Sequence, residues 1–294
     1  MEKIKESRKH FMTHFWQGVG MGIAEAIPGV NGATIALLLG IYTRIMDALK
    51  SITLLNLWGL LKSRQFCLYA NKMQLSFLTP LALGSVIAIW AISGVIPMIS
   101  GNYPGPFNAF IFGLVLVSVY IPLSQINAIH LKQVMIIIAS AAITFVLVAL
   151  PTSTGSHDWL FIYGVMGACA LLLPGLSGSY LLKVFGQYEY LLVNLHKAFL
   201  LEMSSLMVVA IFVLGMATGI MLFSKLLSWL LHHHQSTVMA ILAGLMIGAL
   251  RTLWPSQISN SVSEGFALTG LMILGGLLMT FLIRQEHRRE ISRD

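Results

Sequence analysis

The amino-acid sequence predicts an all-α, polytopic membrane protein made of two inverted repeats, each with a re-entrant broken-helix hairpin and three transmembrane helices. Three observations lead there. The first is composition: 57% of the 294 residues are hydrophobic and 10% are charged, with a mean hydropathy of +0.82. A soluble domain carries about 25% charged residues, so this much apolar surface finds cover only in lipid. The second is a set of apolar stretches near the roughly 20 residues that a helix needs to cross a bilayer. The third is a breaker that occurs twice, Pro28-Gly29-Val30-Asn31-Gly32 and Pro174-Gly175-Leu176-Ser177-Gly178, each inside an otherwise apolar zone.

Taken in order, the first broken zone covers residues 15–48, with Gly18, Gly20 and Gly22 ahead of its Pro-Gly break. Apolar spans follow at 75–98, 106–123 and 132–150. The second broken zone, 159–195, has Gly164 and Gly167 ahead of its break, and spans at 205–227, 237–254 and 266–283 come after it. Small residues of this kind allow close helix contact in lipid, and the GxxxG spacings at Gly215–Gly219 and Gly244–Gly248 read the same way. The six Trp fall mostly near span ends, as interfacial anchors do.

Charge decides how the broken zones are threaded. If each enters and leaves on one side, both termini and the 50–74 loop are cytoplasmic. All of the 18 Lys and Arg except Lys183, Lys197 and Arg251 then lie on the cytoplasmic side, the positive-inside pattern. A single crossing by the first zone would turn the Lys-rich 50–74 loop outward. Three spans per half is an odd number, so the second half is inserted upside down. Residues 1–150 form the first repeat and 151–294 the second, ending in a cytoplasmic tail. Gly40 and Tyr42 match Gly186 and Tyr188 at the 146-residue offset of the two breaks, while Gly84, Ser93 and Gly113 match Gly215, Ser224 and Gly244 at 131. The longer cytoplasmic loop of the first half accounts for the difference.

A Pro in a helix removes a hydrogen bond and clashes with the preceding turn. Freed backbone groups are costly in lipid, so a break must face protein or a wet cavity. Asn31, and Ser177 in the second copy, are placed to cap the restarting helix. A restart leaves N–H groups unpaired and favours an anion such as phosphate. Two such tips entering from opposite faces are expected to meet at the centre of an alternating-access carrier. Thr34 and Ser179 flank the tips, and the breakers Pro28, Gly29, Gly32, Pro174, Gly175 and Gly178 shape them. Plain structural kinks are the competing reading.

Single charges refine this expectation. Glu25 lies three residues before Pro28 in an apolar helix, where an ionisable group is expensive and usually functional. A carboxylate repels phosphate, so coupling to a proton or sodium ion suits it better than substrate binding. Arg44, on the outgoing arm of the first hairpin, is either a phosphate ligand or an interfacial snorkelling residue. Lys183, nine residues after Pro174, is a second cation candidate for phosphate; its repeat equivalent is Leu37. Arg251 reads as an outer-face anchor. His232, His233 and His234 are adjacent, lack metal-ligand spacing, and read as a solvated cytoplasmic turn. Cys67 and Cys169 form no redox or metal motif. The net charge of +7 and pI near 9.5 follow from topology and do not call for nucleic acid. No nucleotide-binding motif is present, no cleaved signal peptide is expected, and neither a cofactor nor a metal is expected.

The stretch Gly22-Ile23-Ala24-Glu25-Ala26-Ile27-Pro28-Gly29-Val30-Asn31-Gly32-Ala33-Thr34 resembles the first signature of the DUF368 family of bacterial and archaeal membrane proteins. Leu173-Pro174-Gly175-Leu176-Ser177-Gly178-Ser179 resembles its second. The resemblance covers nearly the whole chain. Asn31-Gly32-Ala33-Thr34 stands where the family often has Ser-Gly-Gly-Thr. The resemblance implies a polyprenyl-phosphate transporter in the bacterial cytoplasmic membrane. Its lipid partner would be undecaprenyl phosphate, the carrier lipid of cell-wall synthesis, returned from the outer to the inner leaflet. A membrane lipid-phosphate phosphatase and a small-anion channel are the alternatives. The first lacks a nucleophile or metal cluster within the membrane, and the second would need a closed water-filled pore.

Overall fold

The computed structural model describes residues 2–26, 31–53, 56, 58–59, 66–92, 95–148, 159–175, 178, 181–182, 185–199, 201–254 and 262–291. Among them the chain is helical and without strands. The helices are α1 (Glu2–Ala26), α2 (Gly32–Leu38), α3 (Tyr42–Ser51), α4 (Phe66–Lys72), α5 (Leu75–Ile92), α6 (Val95–Asn102) and α7 (Pro104–Ser118). They continue as α8 (Tyr120–Ser124), α9 (Leu131–Leu147), α10 (Leu160–Leu172), α11 (Tyr188–Phe199), α12 (Met203–His233), α13 (Gln235–Leu253) and α14 (Val262–Ile291).

Among the described residues, five helical segments are long and apolar enough to cross a membrane: α5, α7 with α8, α12, α13 and the Gly265–Gln285 part of α14. The bent pair α2 and α3 makes six if it is taken as one span. Large apolar side chains cover the outer faces, among them Val86 and Trp90 on α5, Met207 and Leu222 on α12, and Leu277 and Phe281 on α14. A continuous apolar exterior of this kind is a lipid-facing surface. This is a multi-pass membrane protein.

The spans pack through glycine, as small-residue membrane interfaces do. A Cβ on Gly18 or Gly84 would fall on the backbone oxygen of Leu81 or Phe15, so α1 and α5 lie backbone to backbone. Ser85 Oγ reinforces the contact by donating to Gly18 O at 2.9 Å. In α10 and α12, Gly164 and Gly215 make the corresponding contacts, with the oxygens of Phe212 and Phe161. Two further pairs cross between the halves of the chain. Gly113 of α7 abuts Met272 of α14, and Gly244 of α13 abuts Ile137 and Ser140 of α9. α13 is the most enclosed span and α12 the least. The core gathers Leu37, Tyr42, Met46, Phe77, Leu242 and Met279 around the first broken zone and α13.

Among the described residues, some element ends differ from the expected bounds. The 132–150 stretch forms the 17-residue α9, about 26 Å long at 1.5 Å per residue. The 75–98 stretch is helical on both sides of residues 93–94, which lie outside the described residues, as α5 to Ile92 and α6 from Val95. Helix α12 continues past 227, so His232 and His233 are helical and not in a turn, while all three histidines are exposed as expected and His234 caps the helix. Their Nδ1 atoms lie 2.8 and 2.9 Å from the carbonyls of Ser228 and Trp229, four residues back, and complete the last turns.

The described part of the first broken zone holds three helices, α1, α2 and α3. α2 folds back along α1, with Gly32 facing Met21 and Ile35 facing Gly20. It then ends at Gly40, φ +65°, and the chain bends by 119° into α3. Ile41 N donates to Ala36 O at 3.0 Å, the closure of a left-handed helix stop. The second zone repeats this stop: Gly186 has φ +66°, and Gln187 N donates to Leu182 O at 2.9 Å.

Candidate functional site

The first break begins where α1 ends at Ala26 and resumes at Asn31, an extended residue with φ −134° and ψ 164°. Pro28 and Gly29 lie outside the described residues. Asn31 is almost wholly buried, at 2% exposure, and its amide serves both sides of the site. Oδ1 accepts from Thr34 N at 3.1 Å and from Thr34 Oγ1 at 3.3 Å, an N-cap of the kind that its position in the sequence leads one to expect. Nδ2 donates to Leu173 O at 2.7 Å, 142 residues away.

Leu173 is where α10 stops and the second break starts. The last carbonyls of a helix have no partner within it, and here the first half of the chain supplies two. Besides Asn31, Tyr42 at the start of α3 donates its hydroxyl to Leu172 O at 2.8 Å. The structure thus brings the two breaks into direct contact. Pro174 is buried, and Gly175 turns with φ +84°, where a Cβ would lie 2.8 Å from Met246 Cα of α13. A Cβ on Gly178 would lie 2.9 Å from Gly167 O. Gly175 therefore packs against α13 and Gly178 against α10. Ser177, Ser179 and Lys183 lie outside the described residues.

Glu25 sits on the last turn of α1, across from the start of α2. Its Oε2 accepts from Gly32 N at 2.9 Å. The carboxylate therefore holds one of the N–H groups expected to attract an external anion. Glu25, Asn31, Gly32 and Thr34 form one connected set, and Asn31 links it to the second break.

Arg44 is not brought to this set. It lies beyond the Gly40 bend on the exposed side of α3, with its guanidinium 4.1 Å from the centre of the Phe77 ring and Nε donating to Gln74 Oε1 at 3.4 Å. Its partners thus belong to the start of α5 and the residue before it. Arg251 is likewise exposed, lying over the Phe145 ring at 4.2 Å and donating to Phe145 O at 3.3 Å. Among the described residues, no three His, Cys, Asp or Glu side chains converge as a metal site would require. Sequence reasoning missed Tyr42 as a contributor to the site. The available signal was its pairing with Tyr188 in the repeat; nothing local to Tyr42 reveals that its hydroxyl reaches α10.

The comparisons with known proteins agree on one family. The family described as VCA0040-like, undecaprenyl phosphate translocase-like, matches residues 21–267, which include both breaks. A polyprenyl-phosphate transporter of Vibrio cholerae serotype O1 is 32% identical over 250 residues, spanning 84% of this chain and 78% of the relative. A polyprenyl-phosphate transporter of Staphylococcus aureus is 28% identical over 261 residues, spanning 84% of this chain and 87% of the relative. No solved structure matches the chain. With its two breaks joined at Asn31 and the family match running through most of its length, this chain belongs to the VCA0040-like, undecaprenyl phosphate translocase-like family, DUF368.

Proposed function

We propose that this chain is a carrier, and not an enzyme, for undecaprenyl phosphate or a related polyprenyl phosphate. It moves the lipid from the outer to the inner leaflet of a bacterial cytoplasmic membrane, with both termini on the cytoplasmic side. The observation that carries the reading is the junction of the two breaks through Asn31 and Leu173 O. Broken helices that meet inside a bundle are the usual setting of a carrier's substrate site. In this reading the halves 1–150 and 151–294 are inverted repeats. The support is the recurrence of the same glycine contacts in α1 with α5 and in α10 with α12, and of the same left-handed stop at Gly40 and Gly186. The prenyl chain stays in lipid while the head group passes the breaks.

The head group meets Asn31 and Thr34 from the first half and Ser177, Ser179 and Lys183 from the second. Arg44, stacked on Phe77, is assigned to the membrane interface. Glu25 is the coupling residue. Its carboxylate and an incoming phosphate compete for Gly32 N–H, and uptake of a proton or a sodium ion by Glu25 removes that competition. A leaflet-specific assay of a labelled prenyl phosphate in proteoliposomes, with and without proton and sodium gradients, tests the carrier. Protein-dependent movement of the phosphate but not of the uncharged prenol is expected, and equal rates in protein-free vesicles would overturn the reading. Lys183→Ala is expected to weaken binding of prenyl phosphate more than that of prenol. Equal losses would remove Lys183 from the head-group site.

A further inference from the structure

A second polar region lies away from the breaks, where α3, α4, residues 51–53 with Asn56, and the last turns of α12 border an open cavity of about 960 Å³. We propose that this cavity is a binding site for a phosphate group, distinct from the site at the breaks. Its walls combine the two features such a ligand needs. Lys50 and Lys72, the cations at the ends of α3 and α4, both line it. Lysine is a good phosphate partner because its ammonium acts as a compact point charge. Lys72 makes no ion pair or hydrogen bond with any described residue, and Lys50 is held only by Ser228 Oγ at 3.3 Å.

Asp47 is the one carboxylate among the lining residues, and it is already engaged. Ser228 Oγ donates to its Oδ1 at 2.6 Å, and His232 Nε2 lies 3.5 Å from its Oδ2. Its charge is thereby turned toward α12, and among the described lining residues Lys72 is left without a partner and Lys50 with Ser228 Oγ. A single engaged carboxylate also makes a poor cation site, since hard cations take several oxygen ligands. The polar wall is built and not merely exposed. Asn56 is buried at 6% exposure, donating from Nδ2 to Ser51 O at 2.7 Å and from its backbone N to Thr53 Oγ1 at 3.2 Å. Tyr69 and Trp229 supply an aromatic wall, against which an allylic chain attached to a phosphate could lie.

A phosphate in this cavity could be the head group of a prenyl lipid or free inorganic phosphate. The lipid source rests on the carrier reading above; the binding of phosphate does not. The test is calorimetric titration of the full-length protein in detergent with inorganic phosphate, geranyl phosphate and geraniol. The Lys50→Gln/Lys72→Gln variant should lose affinity for both phosphates by about tenfold or more, while Lys50→Arg/Lys72→Arg retains it. Lys72→Gln alone breaks no bond to a described residue and should still weaken binding, which separates a lost ligand contact from a damaged fold. The lysine-dependent component of binding is the one that reports this site. Undiminished binding of both phosphates to the Gln double variant would overturn the proposal. So would equal binding of geraniol and geranyl phosphate by this component. Tighter binding of geranyl phosphate than of inorganic phosphate supports the site and identifies a lipid head group, whereas equal binding supports it with free phosphate as the ligand. If the wild-type protein moves no prenyl phosphate between leaflets, the carrier reading fails, and lysine-dependent binding of inorganic phosphate still upholds this site.

Discussion

Replacing Asn31 separates two kinds of stabilisation that meet in one side chain. In Asn31→Ala the N-cap of α2 is lost, which costs about 1 kcal/mol. The bond from Nδ2 to Leu173 O is lost as well, at 2.7 Å in a buried setting, which costs about 1 to 1.5 kcal/mol and leaves a carbonyl of the second break without this donor. The total is about 2 to 2.5 kcal/mol, with no large cavity because the side chain is small. Asn31→Ser keeps an oxygen that can cap Thr34 N but is too short to reach across to Leu173 O. It should lose only the second part, about 1 to 1.5 kcal/mol. The assay is reversible unfolding of the purified protein in mixed detergent micelles, followed by far-ultraviolet circular dichroism. Combining each change with Tyr42→Phe, which removes the neighbouring bond to Leu172 O, measures the coupling between the two cross-break bonds. Equal stability of the Asn31→Ala variant and the wild-type protein would refute the reasoning. So would an Asn31→Ser loss as large as that of Asn31→Ala, because the cap would then contribute nothing.

Glu25→Gln keeps an oxygen that can accept from Gly32 N, so the fold should persist while the dependence of transport on pH or sodium changes; unchanged rates and unchanged dependence in proteoliposomes would end the coupling role. Gly84→Ala and Gly215→Ala each place a methyl group on a facing backbone oxygen, of Phe15 and Phe161, and should destabilise by about 1 to 3 kcal/mol. Melting unchanged in both would mean that the helix pairs are not so close. A cysteine introduced at Lys72 should be labelled by impermeant maleimide only after the cytoplasmic face is opened, and labelling in intact cells would invert the proposed topology.

How far the sequence reaches differs from element to element. Spans such as 237–254, found as α13 at Gln235–Leu253, are legible because lipid forces each crossing segment to satisfy its own backbone and to be apolar over a set length. Those requirements are local. Gly40 and Gly186 stand out in the sequence only as matched glycines of the repeat; that each stops a helix is seen in the structure, where a left-handed turn favours glycine. The N-cap by Asn31 is a matter of the next three residues. The boundary at His232 and His233 is not legible, because adjacent histidines look like a turn, while the carbonyls that extend α12 become available only once the helix has formed.

Composition, the two Pro-Gly breaks and the charge asymmetry are enough to determine a polytopic helical membrane protein with two broken zones. Only the tertiary structure decides that Asn31 and Tyr42 bond to the end of α10, that Arg44 leaves the break for Phe77, and that Asp47 turns to Ser228 and His232. The physical reason is one of range. Helix, break and cap are settled by bonds within a few residues. The choice of partner across more than a hundred residues depends instead on how two packed helices are rotated and how far each one slides, and here glycine contacts between distant segments set both.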